Sequence, residues 1–187
     1  MTYRQRLEKL IPGGAHTYSR GADQFPANAP EILKRGKGSY IWDPKNNKYL
    51  DYGMGLRAVT LGYSNSKINN AAIDQIWKGN GLTRPSEIEL SAAECFVENI
   101  PSADMVKFAK NGSNVTTAAI KLARSFTRRD YIAIPRQHPF YSFDDWFIST
   151  TPVKRGTYPD ASKYILFFDY GDFDSLQKLF DQFPNQI

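Results

Sequence analysis

Apolar residues recur along this chain at two spacings, one helical and one extended. Val115, Ala118, Ala119, Leu122 and Ala123 fall at i, i+3, i+4, i+7 and i+8, the stripe of an amphipathic helix. Ser64–Lys78 carries the same period on Ile68, Ala71, Ala72 and Ile76, with Ser64 or Ser66 as its cap and Gly79 as its stop. A third helix opens at Pro85-Ser86-Glu87 and runs to about Asn99. Ile88, Ala92, Cys95, Phe96 and Ile100 line its apolar face, and Pro101 ends it. Shorter helices are predicted over residues 3–10, stopped by Pro12-Gly13-Gly14, and over Phe173–Phe183, capped by Asp172 or Asp174.

The extended segments are short. Met105–Ala109 is apolar apart from Lys107, as a buried strand is, and Tyr131–Ile134 and Tyr164–Tyr170 belong to the same set. From Met105 the order is strand, helix, strand, loop, strand, helix. That order predicts an α/β fold with a mainly parallel sheet and crossover connections. Upstream, Gly38–Asp43 and Lys48–Asp51 flank the turn residues Pro44-Lys45-Asn46-Asn47, which predicts a hairpin. Residues 136–163 read as one long loop rich in aromatics and charge, a length that is either functional or misread. Three strands after residue 105 are few for a doubly wound domain. Phe183–Ile187 reads as a connection into a further strand, so the chain is expected to be the front of a longer protein.

Composition narrows the class. With 41% hydrophobic residues, the 187-residue chain can bury a core and is globular. No apolar run approaches the roughly 20 residues of a membrane span. The charged N-terminus lacks an apolar signal core, and the single Cys95 fits a reducing compartment, so a cytoplasmic protein is expected. His16 and His138 stand far apart without a Cys or carboxylate cluster, which argues against zinc. The net charge of +5 is spread along the chain and forms no basic recognition helix or RNP-like aromatic motif. Solvated faces or an anionic small ligand account for it better than nucleic acid does.

One turn carries candidate chemistry. Asn111-Gly112-Ser113-Asn114 lies between the Met105–Ala109 segment and the helix that follows. A turn there aims free backbone N–H groups and the positive end of a helix dipole at one point, which suits a phosphate. Gly112 permits close approach of the backbone, Ser113 adds a hydroxyl, and Ser113 or Asn114 can cap the helix. The same four residues also suit a capped helix that binds nothing, and the residues alone leave both readings open. A P-loop or dinucleotide site is excluded, because neither a GK[ST] nor a G-x-G-x-x-G pattern is present at the turn.

Taken together, four segments resemble the N-terminal part of class III aminotransferases, in order and along essentially the whole chain. These are LIPGGAHTYSR, KGSYIWDPKNNKYLDYGMG, RPSEIELSAAE and KNGSNVTTAAIKLARSFTRRDYIAI. Within that family the likeness is strongest to glutamate-1-semialdehyde 2,1-aminomutases. The resemblance implies a fold-type I, pyridoxal-phosphate-dependent transferase fold. Residues 1–70 would be an N-terminal hairpin segment of the small domain, and residues 71–187 the incomplete first part of the large cofactor-binding domain. It also implies a small amino or keto substrate and a homodimer.

By the same resemblance, Gly112 and Ser113 hold the cofactor phosphate and Asn111 joins from the preceding position. Phe140, with Tyr141 beside it, occupies the place of an aromatic that stacks on the pyridine ring. Arg20 matches an arginine that receives the substrate carboxylate, for which a guanidinium fork is suited. Without the resemblance, Phe140 and Tyr141 read equally as packing aromatics and Arg20 as a surface residue. Asn114 stands where many relatives carry an acid, and Tyr141 and Ser142 replace a His-Gly pair. These departures point to a subgroup with a different substrate, a sugar or another amine donor.

The family's chemistry needs a lysine that binds the cofactor aldehyde and an acid beside the pyridine nitrogen. No lysine of this chain lies in a matching segment, so no catalytic residue is assigned and the chain alone is expected to be inactive. The alternative is a non-catalytic α/β domain that binds a phosphorylated ligand or a partner chain.

Overall fold

The computed structural model describes residues 1–187 and divides them into two compact units, Met1–Pro85 and Ser86–Ile187. The boundary follows Pro85, so the helix at Ser66–Lys78 belongs to the first unit.

The first unit begins with helix α1 (Tyr3–Leu10). Thr2 and Gln5 form a reciprocal capping box that satisfies two otherwise free N–H groups. Three single 3₁₀ turns follow, at Pro12–Gly14, Tyr18–Arg20 and Ala22–Gln24. The expected hairpin forms from β2 (Tyr40–Trp42) and β3 (Lys48–Leu50), and a further strand, β1 (Arg35–Lys37), pairs antiparallel with β2. Arg-Gly-Lys has no strand pattern of its own. What holds it is the register Gly36↔Ile41 and the Arg35 guanidinium, 3.6 Å from the Trp42 ring centroid. Asp43 fixes the turn between β2 and β3 by accepting the Asn47 backbone N–H and side-chain amide, each at 2.8 Å, and the Tyr49 hydroxyl at 3.2 Å.

Past the hairpin, the single turn α2 (Met54–Arg57) is left-handed, with positive φ at Met54, Gly55, Leu56 and Arg57. Only glycine takes that conformation without cost. The chain then returns to the sheet, where Gly38 and Tyr63 exchange two backbone hydrogen bonds at 2.9 Å. Helix α3 (Ser66–Lys78) is capped by Asn65, whose Oδ1 accepts the Lys67 N–H at 3.1 Å, and not by Ser64 or Ser66 as expected.

The second unit opens with α4 (Glu87–Asn99), which starts in a Ser86–Glu89 capping box. Helix α5 (Gly112–Thr127) leads into β4 (Ile132–Pro135). After a single helical turn, α6 (Asp145–Ile148), comes β5 (Ile165–Phe168) and then α7 (Phe173–Gln182), capped by Asp172. β4 and β5 pair in parallel, with Ile132↔Ile165 and Ile134↔Phe167 in register. The core is small. Ile134 and Ile165 surround Phe147, which is 0% exposed, with Ile132, Tyr141, Trp146 and Phe167 against them.

Two expectations need correction here. Met105–Ala109 forms no strand, and Met105 is 89% exposed. An extended segment needs a neighbour to pair its backbone, and the sheet of this unit consists of β4 and β5 alone. For the same reason the apolar face of α4 is largely uncovered. Ile88, Phe96 and Ile100 are exposed, with Phe108 edge-on to Phe96 at 6.2 Å between centroids. The 136–163 segment is not wholly irregular either, since α6 lies within it and places Phe147 at the centre of the core.

Candidate functional site

The turn before α5 is built as an open cradle. Asn111 is the N-cap: its backbone is extended and its Oδ1 accepts the Asn114 N–H at 3.0 Å. This corrects the expected cap at Ser113 or Asn114. Both lie inside the first turn, where their side chains cannot reach back to the free N–H groups. Capping consumes the Asn111 oxygen and leaves its amide NH₂ free. The N–H groups of Gly112 and Ser113 donate to no protein acceptor. A Cβ built on Gly112 would meet nothing within 4 Å, so the backbone is open to an approaching ligand. Two unpaired N–H groups, a hydroxyl and a helix dipole converge here, a donor set for an anion.

The segment at residues 140–146 is strapped onto this turn. The Ser113 Oγ accepts the Phe143 N–H at 3.2 Å, which leaves the Ser113 proton free to donate. Thr116 donates to the Tyr141 carbonyl at 2.8 Å. At the next residue, the Thr117 hydroxyl donates to Asp144, lies 3.2 Å from the Ser142 Oγ, and accepts the Trp146 indole N–H at 2.8 Å. Asp144 stands at the N-cap position of α6, yet its carboxylate serves Thr117 and not that helix. Ser142 is fully buried and its Oγ accepts the Asp144 N–H at 3.0 Å.

Phe140 and Tyr141 behave differently within the strap. Both meet Phe147 edge-on, at 5.7 and 5.4 Å between centroids. Phe140 is 64% exposed, whereas Tyr141 is half-buried against the core. Asn111, Gly112, Ser113, Phe140 and Tyr141 therefore lie in one unit, on two segments joined by hydrogen bonds. Arg20 belongs to the first unit. It ends the Tyr18–Arg20 turn, is exposed, and has no acidic partner. Nearby in that unit, the Tyr63 hydroxyl donates to Asp51 at 2.6 Å. That bond, with burial and the Asp51 charge, pushes the Tyr63 phenol above its ordinary value.

Thr116, Thr117, Asp144 and Trp146 are absent from the candidates drawn from the sequence. Two adjacent threonines in the first turns of a helix are a weak signal, since such hydroxyls often bond back to their own helix. No group of three or more His, Cys, Asp or Glu side chains is placed to hold a metal. No helix is long and apolar enough to cross a membrane.

The chain is similar to known proteins along its length. The family model described as Aminotransferase class-III matches residues 18–150. A glutamate-1-semialdehyde 2,1-aminomutase of Wigglesworthia glossinidia brevipalpis is 34% identical over 96% of this chain and 43% of its own length. An aminopentol aminotransferase of Sphingopyxis macrogoltabida is 33% identical over 98% of this chain and 42% of its own. The FumI protein of Sphingopyxis sp. MTA144, solved in its PLP internal aldimine form, superposes with a TM-score of 0.90 at 32% identity, over 99% of this chain and 44% of that one. The chain thus spans under half the length of the relatives it matches.

Proposed function

Because this chain belongs to the class-III aminotransferase family, we propose that it is the N-terminal portion of a pyridoxal-phosphate-dependent aminotransferase or aminomutase. The observation that carries the reading is the open cradle at Gly112 and Ser113, joined to a strap that presents Phe140.

The residues present fit the cofactor. Its phosphate suits the free N–H groups of Gly112 and Ser113, the Ser113 hydroxyl and the Asn111 amide. Its ring is flat and apolar on its faces, and the exposed Phe140 supplies a matching face, with Tyr141 holding the strap beside it. When bound, the cofactor supplies an electron sink for the carbon that bears the amino group. The chain's own part is to grip the phosphate, fix the ring plane and exclude water from one face. Arg20, free of any acid, receives the carboxylate of a small amino or keto substrate. We assign proton transfer to no residue of this chain. None of its lysines lies in a segment resembling the family's lysine motif, so the 187-residue polypeptide is expected to bind without turnover. A homodimer is proposed from the family. A cytoplasmic location is proposed from the single free Cys95.

The test is a titration of the purified chain with pyridoxal phosphate, followed by absorbance, with inorganic phosphate as competitor. Saturable binding that phosphate displaces, with no lysine adduct after borohydride reduction, supports the reading. Binding indifferent to phosphate overturns the cradle, and a stoichiometric lysine adduct overturns the assignment of no reactive amine.

A further inference from the structure

We propose that Thr117 is a positioning residue, the lock that holds the 140–146 strap, and with it Phe140, against the anion-binding turn. The proposal rests on the ligand reading above.

A threonine hydroxyl has one proton to give and two lone pairs. At Thr117 the proton goes to Asp144, and the lone pairs face the Trp146 indole N–H at 2.8 Å and the Ser142 Oγ at 3.2 Å. The whole capacity of this one hydroxyl is therefore spent on the strap and none on its own helix. Thr116 differs, because its Oγ1 also lies within reach of the Gly112 and Ser113 carbonyls, at 3.0 and 3.1 Å. The three groups that Thr117 engages span the strap from Ser142 to Trp146. Ser142 is fully buried, and Trp146 packs on Phe147 at 5.6 Å between centroids. Removing the hydroxyl leaves a carboxylate, an indole N–H and a serine hydroxyl in search of partners at once, and water is a poor substitute at the buried Ser142. The strap's remaining links to the first turn of α5 are the Ser113–Phe143 and Thr116–Tyr141 bonds. Those two bonds, with Tyr141 and Trp146 packed on Phe147, hold the strap less tightly, and Phe140 with it.

The test compares wild type, Thr117→Val and Thr117→Ser. Without ligand, amide hydrogen exchange in Thr117→Val should rise about tenfold at Phe143 and Asp144, with α7 unchanged, and Thr117→Ser should restore protection. With ligand, Thr117→Val should weaken pyridoxal phosphate about tenfold and leave inorganic phosphate within about twofold, since only the former uses Phe140. Unchanged exchange at the strap, or equal weakening of both ligands, overturns the proposal. If Thr117→Val fails to fold, Trp146→Phe, which removes one bond to the same hydroxyl, decides in the same two ways. Wild type that binds no pyridoxal phosphate ends the reading of the previous subsection and this one with it. Wild-type binding with an unaltered Thr117→Val profile ends this one alone.

Discussion

Ser113 Oγ accepts the backbone N–H of Phe143 at 3.2 Å, so one hydroxyl faces both the strap and the open turn. An oxygen that accepts from the protein keeps its proton for a ligand. Ser113→Ala removes a charge-assisted donor to an anion, worth about 1.5–3 kcal/mol, and should weaken phosphate binding at least tenfold. Ser113→Thr, which keeps the hydroxyl, should bind within about threefold of wild type. Isothermal titration with inorganic phosphate checks both, and equal affinity for Ser113→Ala and wild type removes the hydroxyl from the site.

In the proposed reading Phe140 meets the cofactor ring and not the phosphate. An offset-stacked aromatic contributes about 0.5–1.5 kcal/mol beyond its buried area. Phe140→Ala should therefore weaken pyridoxal phosphate by about fivefold to tenfold and leave inorganic phosphate unchanged. Phe140→Tyr should bind like wild type. Competition titrations distinguish this from a disruption of the anion-binding turn itself, which would alter the affinity for both.

Acid should loosen the hairpin of the first unit. At Asp43, partial burial works to raise the carboxyl, but hydrogen bonds from Asn47 and Tyr49 outweigh it and hold the carboxyl below its ordinary range. The folded form therefore keeps Asp43 ionised where the unfolded chain takes up a proton. This stabilisation is present above the unfolded value, about 3.9, and is lost as pH falls through the lower folded value. Thermal melts between pH 6 and about pH 3 should show wild type losing its advantage over Asp43→Ala as pH drops. A constant gap contradicts the assignment.

Gly62 is a second fixed point of that unit. Its φ is +87°, and a Cβ there would lie 3.1 Å from the Gly38 Cα, in the backbone bridge between Gly38 and Tyr63. Gly62→Ala meets both the conformational penalty and the close backbone, and should destabilise by about 1–3 kcal/mol. A melting temperature equal to wild type would show that this bridge gives way without cost.

Local signals in the chain predicted local structure well. The Val115–Ala123 stripe became α5, the turn residues 44–47 became the β2–β3 connection, and Asp172 caps α7. What failed depends on partners distant in sequence. Met105–Ala109 is apolar enough for a buried strand, but burial needs a neighbour that the fold does not place there. The Arg35-Gly36-Lys37 strand exists because β2 lies beside it, not because its residues favour extension. At the candidate site, Asn111, Gly112 and Ser113 were legible because the turn is contiguous. The Thr117–Trp146 bond joins residues 29 positions apart, and no local period announces it.

The central claim is that main-chain N–H groups at the start of α5 grip an anion. Gly112→Asp tests it most directly, because it places a carboxylate in the open space where the account seats the phosphate while leaving the strap's hydrogen bonds to Ser113, Thr116 and Thr117 intact. The account predicts that pyridoxal phosphate and inorganic phosphate both lose at least a hundredfold in affinity while the melting temperature stays near that of wild type. Phosphate affinity unchanged in Gly112→Asp would contradict it.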